Sequence, residues 1–302
     1  MRRYLFDGRL SNDTTPMGKS MIDLHTHSVH SDGTLTPAAL IEKAKEQGVT
    51  AIALTDHNSI LGVPEFLQAA EGSGVEGIAG IEFSTNYEDV ELHIIGLFIE
   101  PCYFEDITAK MVALKEAKKE SNRALVERLN QMGYDISFER LCEAHRDGHI
   151  NRAHIAKALT EMGYTSSVQD AFARLLDPKL GIYVPPPRPE AYDIIAYIAS
   201  MGALPVLAHP FLQLSEDRLR VFLPEAVSRG LVAMETEYPM YDEETTLTAR
   251  RVAEDFGLLR CGGSDYHGAN KPYIEMGVGR GDLYVDEDIL EKLKQKHKNA
   301  QT

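Results

Sequence analysis

Short apolar runs alternate with amphipathic stretches along most of the chain. The first run, Ile22-Asp23-Leu24-His25-Thr26-His27-Ser28, starts apolar and turns polar, as a buried strand does where it emerges at a site. The turn-like His30-Ser31-Asp32-Gly33 follows, and Thr36-Pro37 reads as an N-cap with proline at the first helical position. The pattern predicts a helix over 38–47, with Gly48 as its C-terminal cap. Further strands are expected at 49–55, 77–83 and 91–98, with a short helix at 64–70. From 190 onward, helices at 190–201, 216–229, 243–256 and 287–297 alternate with strands at 204–208, 231–236 and 258–262.

Between these halves the pattern changes. Residues 104–132 form a long charged helical stretch, followed by helical pieces near 138–146, 153–162 and 168–176 punctuated by Gly133, Gly148 and Gly163. The block closes on Val184-Pro185-Pro186-Pro187-Arg188-Pro189, a stiff extended segment suited to a boundary. The expected organisation is a polar extension at 1–20, an α/β barrel in two parts at 21–104 and 189–302, and a helical insertion at 105–188.

Composition narrows the function classes. A length of 302 residues suits one large α/β domain or a domain with an insertion. The net charge of −15 argues against broad binding to duplex DNA or to an anionic membrane. Cys102, Cys142 and Cys261 are odd in number and widely spaced, as expected of free thiols in a reducing cytoplasm. No apolar run reaches the ~18 residues of a transmembrane helix. The first 20 residues lack the apolar core of a signal peptide.

The polar candidates share an address. His25 and His27, His57, Glu82, His209, and Asp265 with His267 each end or closely follow an apolar strand. In β/α barrels the active site collects at that rim, with residues drawn from several strands. Residues two apart in a strand face the same way, so His25 and His27 aim two imidazoles at one point. Each residue also has a plainer reading. His93 fits a core histidine, Glu82 a surface carboxylate, and Asp32 an Asp-Gly turn. Asp56 reads as a turn or cap residue, while His145, His149 and His297 read as solvated. Six histidines and three carboxylates exceed the four ligands of a usual zinc site. They suit a cluster of two or three ions with a bridging carboxylate, and nitrogen-rich ligation favours Zn, Mn or Fe, with Mg admissible.

These residues resemble the polymerase-and-histidinol-phosphatase (PHP) family of metal-dependent phosphoesterases. The matching motifs are Asp23-Leu24-His25-Thr26-His27-Ser28, Ser31-Asp32-Gly33, Leu54-Thr55-Asp56-His57-Asn58, Gly80-Ile81-Glu82-Phe83-Ser84, Leu92-His93-Ile94-Ile95-Gly96, Ala208-His209-Pro210 and Gly263-Ser264-Asp265-Tyr266-His267. The insertion is similar to that of the stand-alone bacterial branch that hydrolyses nucleotide phosphates and trims short RNA from its 5′ end. The resemblance implies a distorted (β/α)7 barrel with a trinuclear centre. His25, His27, Glu82 and Asp265 would hold one metal, and Glu82 would bridge to a second held by His93 and His209. Asp32, His57 and His267 would hold the third. Glu82, Asp265 and His209 are the expected catalytic residues, and Asn58, Arg152 and His154 the expected phosphate contacts.

The implied reaction is hydrolysis of a phosphate ester, by metal-activated water, in a nucleotide, a 3′,5′-bisphosphonucleotide or the 5′ end of a short RNA. Histidinol phosphate is the alternative phosphoester. A C–N hydrolase of the amidohydrolase type is a more distant one, since no lysine stands at a strand end to serve as a carboxylated ligand. A non-enzymatic metal-binding or regulatory domain is the third class. Oligomeric state is left open.

Overall fold

Seven segments become strands, six of them short runs of four to eight residues and one of twelve, most of them apolar and buried. The computed structural model describes residues 21–144, 150–186 and 188–300. The extension 1–20, His145, His149, Gly148 and Pro187 lie outside the described residues.

In chain order the elements are β1 (Met21–Thr26), α1 (Pro37–Gln47), β2 (Val49–Leu54), α2 (Val63–Ala70), β3 (Glu76–Tyr87) and β4 (Val90–Leu97). Next come α3 (Phe104–Gln131), α4 (Phe138–Glu143), α5 (Arg152–Glu161), and α6 (Val168–Ala171), which runs on as a π turn over Phe172–Leu176. The chain ends with α7 (Ala191–Ser200), β5 (Leu204–Leu207), α8 (Glu216–Ser228), β6 (Ala233–Glu237), α9 (Glu243–Asp255), β7 (Leu259–Gly262) and α10 (Glu287–Ala300). The caps of α1 are those the sequence implies: Thr36 Oγ1 accepts from Ala39 N at 3.2 Å, and Gly48 takes a left-handed φ of 72°.

The strands form one sheet in the order β1 to β7. Its edges meet: Asp265 N donates to His25 O and His27 N to Tyr266 O, each at 2.9 Å. One apolar cluster takes residues from all seven strands, including Leu24, Ala53, Ile78, Ile95, Val206, Ala233 and Cys261, so it fills the barrel interior. Ile289, Leu290 and Leu293 of α10 join it. A second cluster lies between the sheet and the outer helices, with Leu40, Phe66, Ile194, Phe222 and Val252 as members. The fold is the distorted barrel of mixed α/β type that the resemblance implies.

Two details depart from regular β/α alternation. β3 and β4 are joined through Glu88 and Asp89 alone, too short for a crossover helix, so β4 pairs antiparallel with β3 and with β5. His93 therefore reaches the rim from the first half of β4 rather than from a C-terminal strand end. In addition, β1 carries one residue more than β2 between Asp23 and Thr26, a bulge that re-aims the side chains beyond it.

The helices after β4 build a third cluster around Leu125, Leu129, Phe138, Ile155, Leu159 and Leu176. Helix α3 serves two cores: Ile107 and Met111 pack with the outer barrel cluster, while Leu125, Val126 and Leu129 pack in the third. Cys102, Cys142 and Cys261 are free thiols. Among the described residues no helix is long and apolar enough to cross a membrane.

Candidate metal centre

Nine side chains named from the sequence meet at the rim, and Glu82 stands at their middle. It is fully buried on β3, and its two oxygens face different neighbours. Oε1 lies 2.8 Å from His93 Nδ1 and 3.1 Å from His209 Nε2. Oε2 lies 3.3 Å from His25 Nε2, 3.4 Å from His27 Nε2 and 2.9 Å from His57 Nδ1. Asp265 Oδ1 adds a second carboxylate, 3.6 Å from His25 Nε2 and 3.2 Å from His27 Nε2. At the outer edge Asp32 Oδ1 is 3.1 Å from His267 Nε2, and Asp32 Oδ2 is 4.0 Å from His57 Nε2.

The donor atoms fit a cation cluster. His25 Nε2, His27 Nε2, His57 Nδ1, Glu82 Oε2, His209 Nδ1 and His267 Nε2 are buried without a hydrogen-bond partner. Orphaned buried polar atoms cost free energy unless something else satisfies them. Atoms bound at about 2.1 Å to one ion stand roughly 3.0–3.4 Å apart at ordinary ligand angles, close to most of the separations above. The ligand atoms of His27, Asp32, His57 and His267 all lie within 4.8 Å of one another, as do those of His25, Glu82 and His209. The sets His25, His27, Asp265 and His57, Glu82, His93 are equally close.

Charge and burial compete here. Burial alone would push the Glu82 carboxyl up, but His57, His25 and His93 outweigh it and hold it well below the usual range. Asp265 is likewise held low, with His25 and His27 overcoming its burial. Burial, with His57 beside it, drops His27 to about 3. His93 is half-buried, which lowers it, yet Glu82 and Glu91 lift it to about 10.

Backbone strain gathers at the same place. Asn58, His209 and Asp265 have φ of 50°, 30° and 56°, the left-handed region that non-glycine residues rarely enter. Asp56 fastens the loop beneath Asp32, accepting from Ser28 N at 2.7 Å, Ser28 Oγ at 2.6 Å and Ser31 Oγ at 2.5 Å. This is the turn-organising role its sequence position implies.

The expected phosphate contacts are placed differently. The Asn58 amide is held at both ends by Ser84, Nδ2 donating to Oγ at 3.1 Å and Oδ1 accepting from N at 3.0 Å. Asn151 and His154 form a capping box at the start of α5. Arg152, expected at phosphate, is half-buried and engaged within the helical segment. Its Nη1 donates to Leu176 O at 3.1 Å, and its guanidinium lies 4.6 Å from the centre of the Tyr183 ring.

Four functional neighbours escape a reading based on strand ends. Asp23 is buried at the β1–β7 seam, accepting from Ser264 N and Gly277 N at 2.8 Å. Glu235 of β6 contacts His25 Nδ1 at 2.9 Å and accepts from His209 N at 2.7 Å. Tyr238 Oη and Lys271 Nζ both donate to Asp265 Oδ2 at 2.7 Å. The available signal for Glu235 was its parity: it stands two residues from Ala233, an interior position of an apolar strand.

Fold and site together define a class, the metal-dependent phosphoesterases, which are hydrolases of phosphoric ester bonds. Within that class the chain belongs to the PHP domain family, whose model matches residues 23–182. It is 32% identical over 250 residues to a 5′-3′ exoribonuclease of Haemophilus influenzae, covering 81% of this chain and 89% of that protein. It is 28% identical over 264 residues to a 3′,5′-nucleoside bisphosphate phosphatase of Chromobacterium violaceum, covering 85% and 90%. Among solved structures, a putative metal-dependent phosphoesterase from Bifidobacterium adolescentis superposes with a TM-score of 0.69 at 29% identity, covering 93% of this chain and 98% of that one.

Proposed function

We propose that the protein hydrolyses phosphate esters of nucleotides, either a 3′,5′-bisphosphonucleotide or the 5′ end of a short RNA, at a trinuclear centre of Mn, Fe or Zn. The observation that carries the metal assignment is the division of Glu82. One oxygen faces His93 and His209, and the other faces His25, His27 and His57. His25, His27, Glu82 and Asp265 would hold one ion, Glu82 with His93 and His209 a second, and Asp32, His57 and His267 a third. When bound, such ions lower the pKa of water towards neutrality and offset charge on the phosphate. Glu82 would bridge the two inner ions, and the depressed values of Glu82 and Asp265 keep both carboxylates ionised at neutral pH.

A basic patch supports the substrate class. Arg188 Nη1 pairs with Glu91 Oε2 at 2.8 Å, and Glu91 Oε1 lies 3.5 Å from His93 Nε2. Burial, with Arg188 and Arg152 nearby, lowers the Lys118 ammonium, so three cations share one neighbourhood connected to His93 through Glu91. The segment 105–188 contributes all three, Lys118, Arg152 and Arg188, and we read that segment as the substrate-facing insertion. The names of the H. influenzae and C. violaceum relatives point to the same chemistry. The free thiols fit a cytoplasmic setting.

The deciding experiment supplies Mn, Fe or Zn and screens 5′- and 3′-nucleotides, 3′,5′-bisphosphates, histidinol phosphate and short 5′-phosphorylated RNAs for phosphate release. Activity on a bisphosphate or RNA end, lost in Asp265→Ala, supports the reading. Release only from histidinol phosphate, or from nothing, refutes it. Arg152→Ala should raise KM by roughly 10–100-fold with a smaller change in kcat, the cost of one charge-assisted contact.

A further inference from the structure

Glu235 is fully buried in β6, two residues before a carboxylate with a different task. Glu237 is taken up by Arg250 and Arg260, which tie it to α9 and β7. The Glu235 oxygens turn the other way. Oε1 meets His25 Nδ1 at 2.9 Å, and Oε2 accepts from the backbone N–H of His209 at 2.7 Å. One side chain thus touches a ring on β1 and a strained backbone unit after β5, where His209 has φ of 30° and precedes Pro210.

We propose that Glu235 is a positioning residue that readies His25 and His209 together for metal binding. The inference rests on the trinuclear reading above and extends it to a residue outside the ligand set. A ligating imidazole must be neutral, with one ring nitrogen bare. Facing a carboxylate, His25 keeps its proton on Nδ1 and presents Nε2 to the pocket, 3.3 Å from Glu82 Oε2. The second oxygen holds the left-handed backbone that swings the His209 ring to Glu82 Oε1. Carboxylates that fix the tautomer and orientation of a ligating histidine typically change metal affinity 10–100-fold when removed.

The hydrogen-bond pattern makes a sharp demand. Both partners of Glu235 are donors, so the residue between them must accept twice. A glutamine of the same shape accepts on one side only. If its NH2 faces His25, it donates to Nδ1 and drives the ring proton to the metal-facing Nε2. If its NH2 faces His209, two N–H groups collide. Glutamine should therefore fail nearly as badly as alanine, although it preserves volume.

The test uses the full chain, stripped with chelator and titrated with Mn2+ by calorimetry and metal analysis. In Glu235→Gln the sites that include His25 and His209 should weaken about 10–100-fold, while the Asp32, His57 and His267 site keeps its affinity as an internal control. Glu235→Asp, which retains two acceptors on a shorter arm, should bind more tightly than Glu235→Gln. Melting of the metal-free variants, followed by circular dichroism, shows whether each is folded. Wild-type affinity in folded Glu235→Gln would overturn the proposal. So would equal weakening of every site, or an aspartate variant no better than glutamine. Failure of the wild-type protein to bind Mn2+, Fe2+ or Zn2+ would instead remove the trinuclear reading itself.

Discussion

His27 and His93 stand on one rim yet titrate in opposite directions. His27 is enclosed by other imidazoles and buried, so its charged form is disfavoured and its value falls to about 3. His93 is only half-buried, and Glu82 and Glu91 flank its two nitrogens and raise it to about 10. His27 is thus already neutral at pH 7 and ready to ligate, whereas His93 must give up a proton. Metal binding should release protons, and affinity should rise with pH towards 10. The sign for folding follows from linkage. A value raised from 6.5 contributes stability that is complete below 6.5 and lost as pH climbs through about 10. Melting of the chelator-treated protein should therefore occur at lower temperature at pH 10 than at pH 7, and His93→Gln should flatten that fall. An unchanged slope in the variant would assign the loss to other groups.

Among the elements, the seam between β7 and β1 does most to set the centre. The β1 bulge, the Asp23 carboxylate and the two backbone hydrogen bonds across the seam place His25, His27 and Asp265 against one another. Gly263 allows this approach: a Cβ there would collide with the His25 backbone nitrogen and lie 2.5 Å from His25 Cβ. Gly263→Ala should cost about 1–3 kcal/mol, the usual range for overpacking, read as a lower urea midpoint. It should also displace His25 and weaken metal binding. A variant with wild-type stability would mean that the seam has slack the structure does not display. The β3–β4 hairpin matters for a different reason. By reversing the chain direction it delivers His93 to the rim from the start of a strand.

The whole molecule carries a net charge of −15 and concentrates carboxylates and imidazoles at one end of its barrel. A cluster of divalent ions would invert the local field there while leaving the rest of the surface acidic. Because ions bind the folded chain far better than the unfolded one, they act as stabilisers by mass action. Each site at 100-fold over its dissociation constant adds about 2.7 kcal/mol. Mn2+ or Zn2+ should therefore raise the melting temperature of the stripped protein, in steps that track stoichiometry, and chelator should reverse the gain. No shift with any divalent transition ion would count against the centre. The same acidic surface predicts weak binding of long duplex DNA at physiological salt, measurable by a mobility shift.

The sequence by itself determined most of the framework. Periodicity located the strands and helices, because burial of an apolar face imposes a period on every element whatever surrounds it. The strand-end rule brought seven candidate ligands to one rim, since a barrel turns a repeated position along the chain into a ring in space, while His93 and Asp32 were reached only through the family resemblance. Local rules were enough for the caps of α1 and for the turn role of Asp56. What only the tertiary structure decided was pairing across the barrel. Whether His25 meets Glu82, Glu235 or both depends on which strands lie opposite, and no local pattern encodes that. Glu235 and Lys271 stand outside the candidates that the sequence singles out, and Arg152 reads there as a phosphate contact. Each acquired its place from a partner distant in sequence: His25, Asp265 and Tyr183.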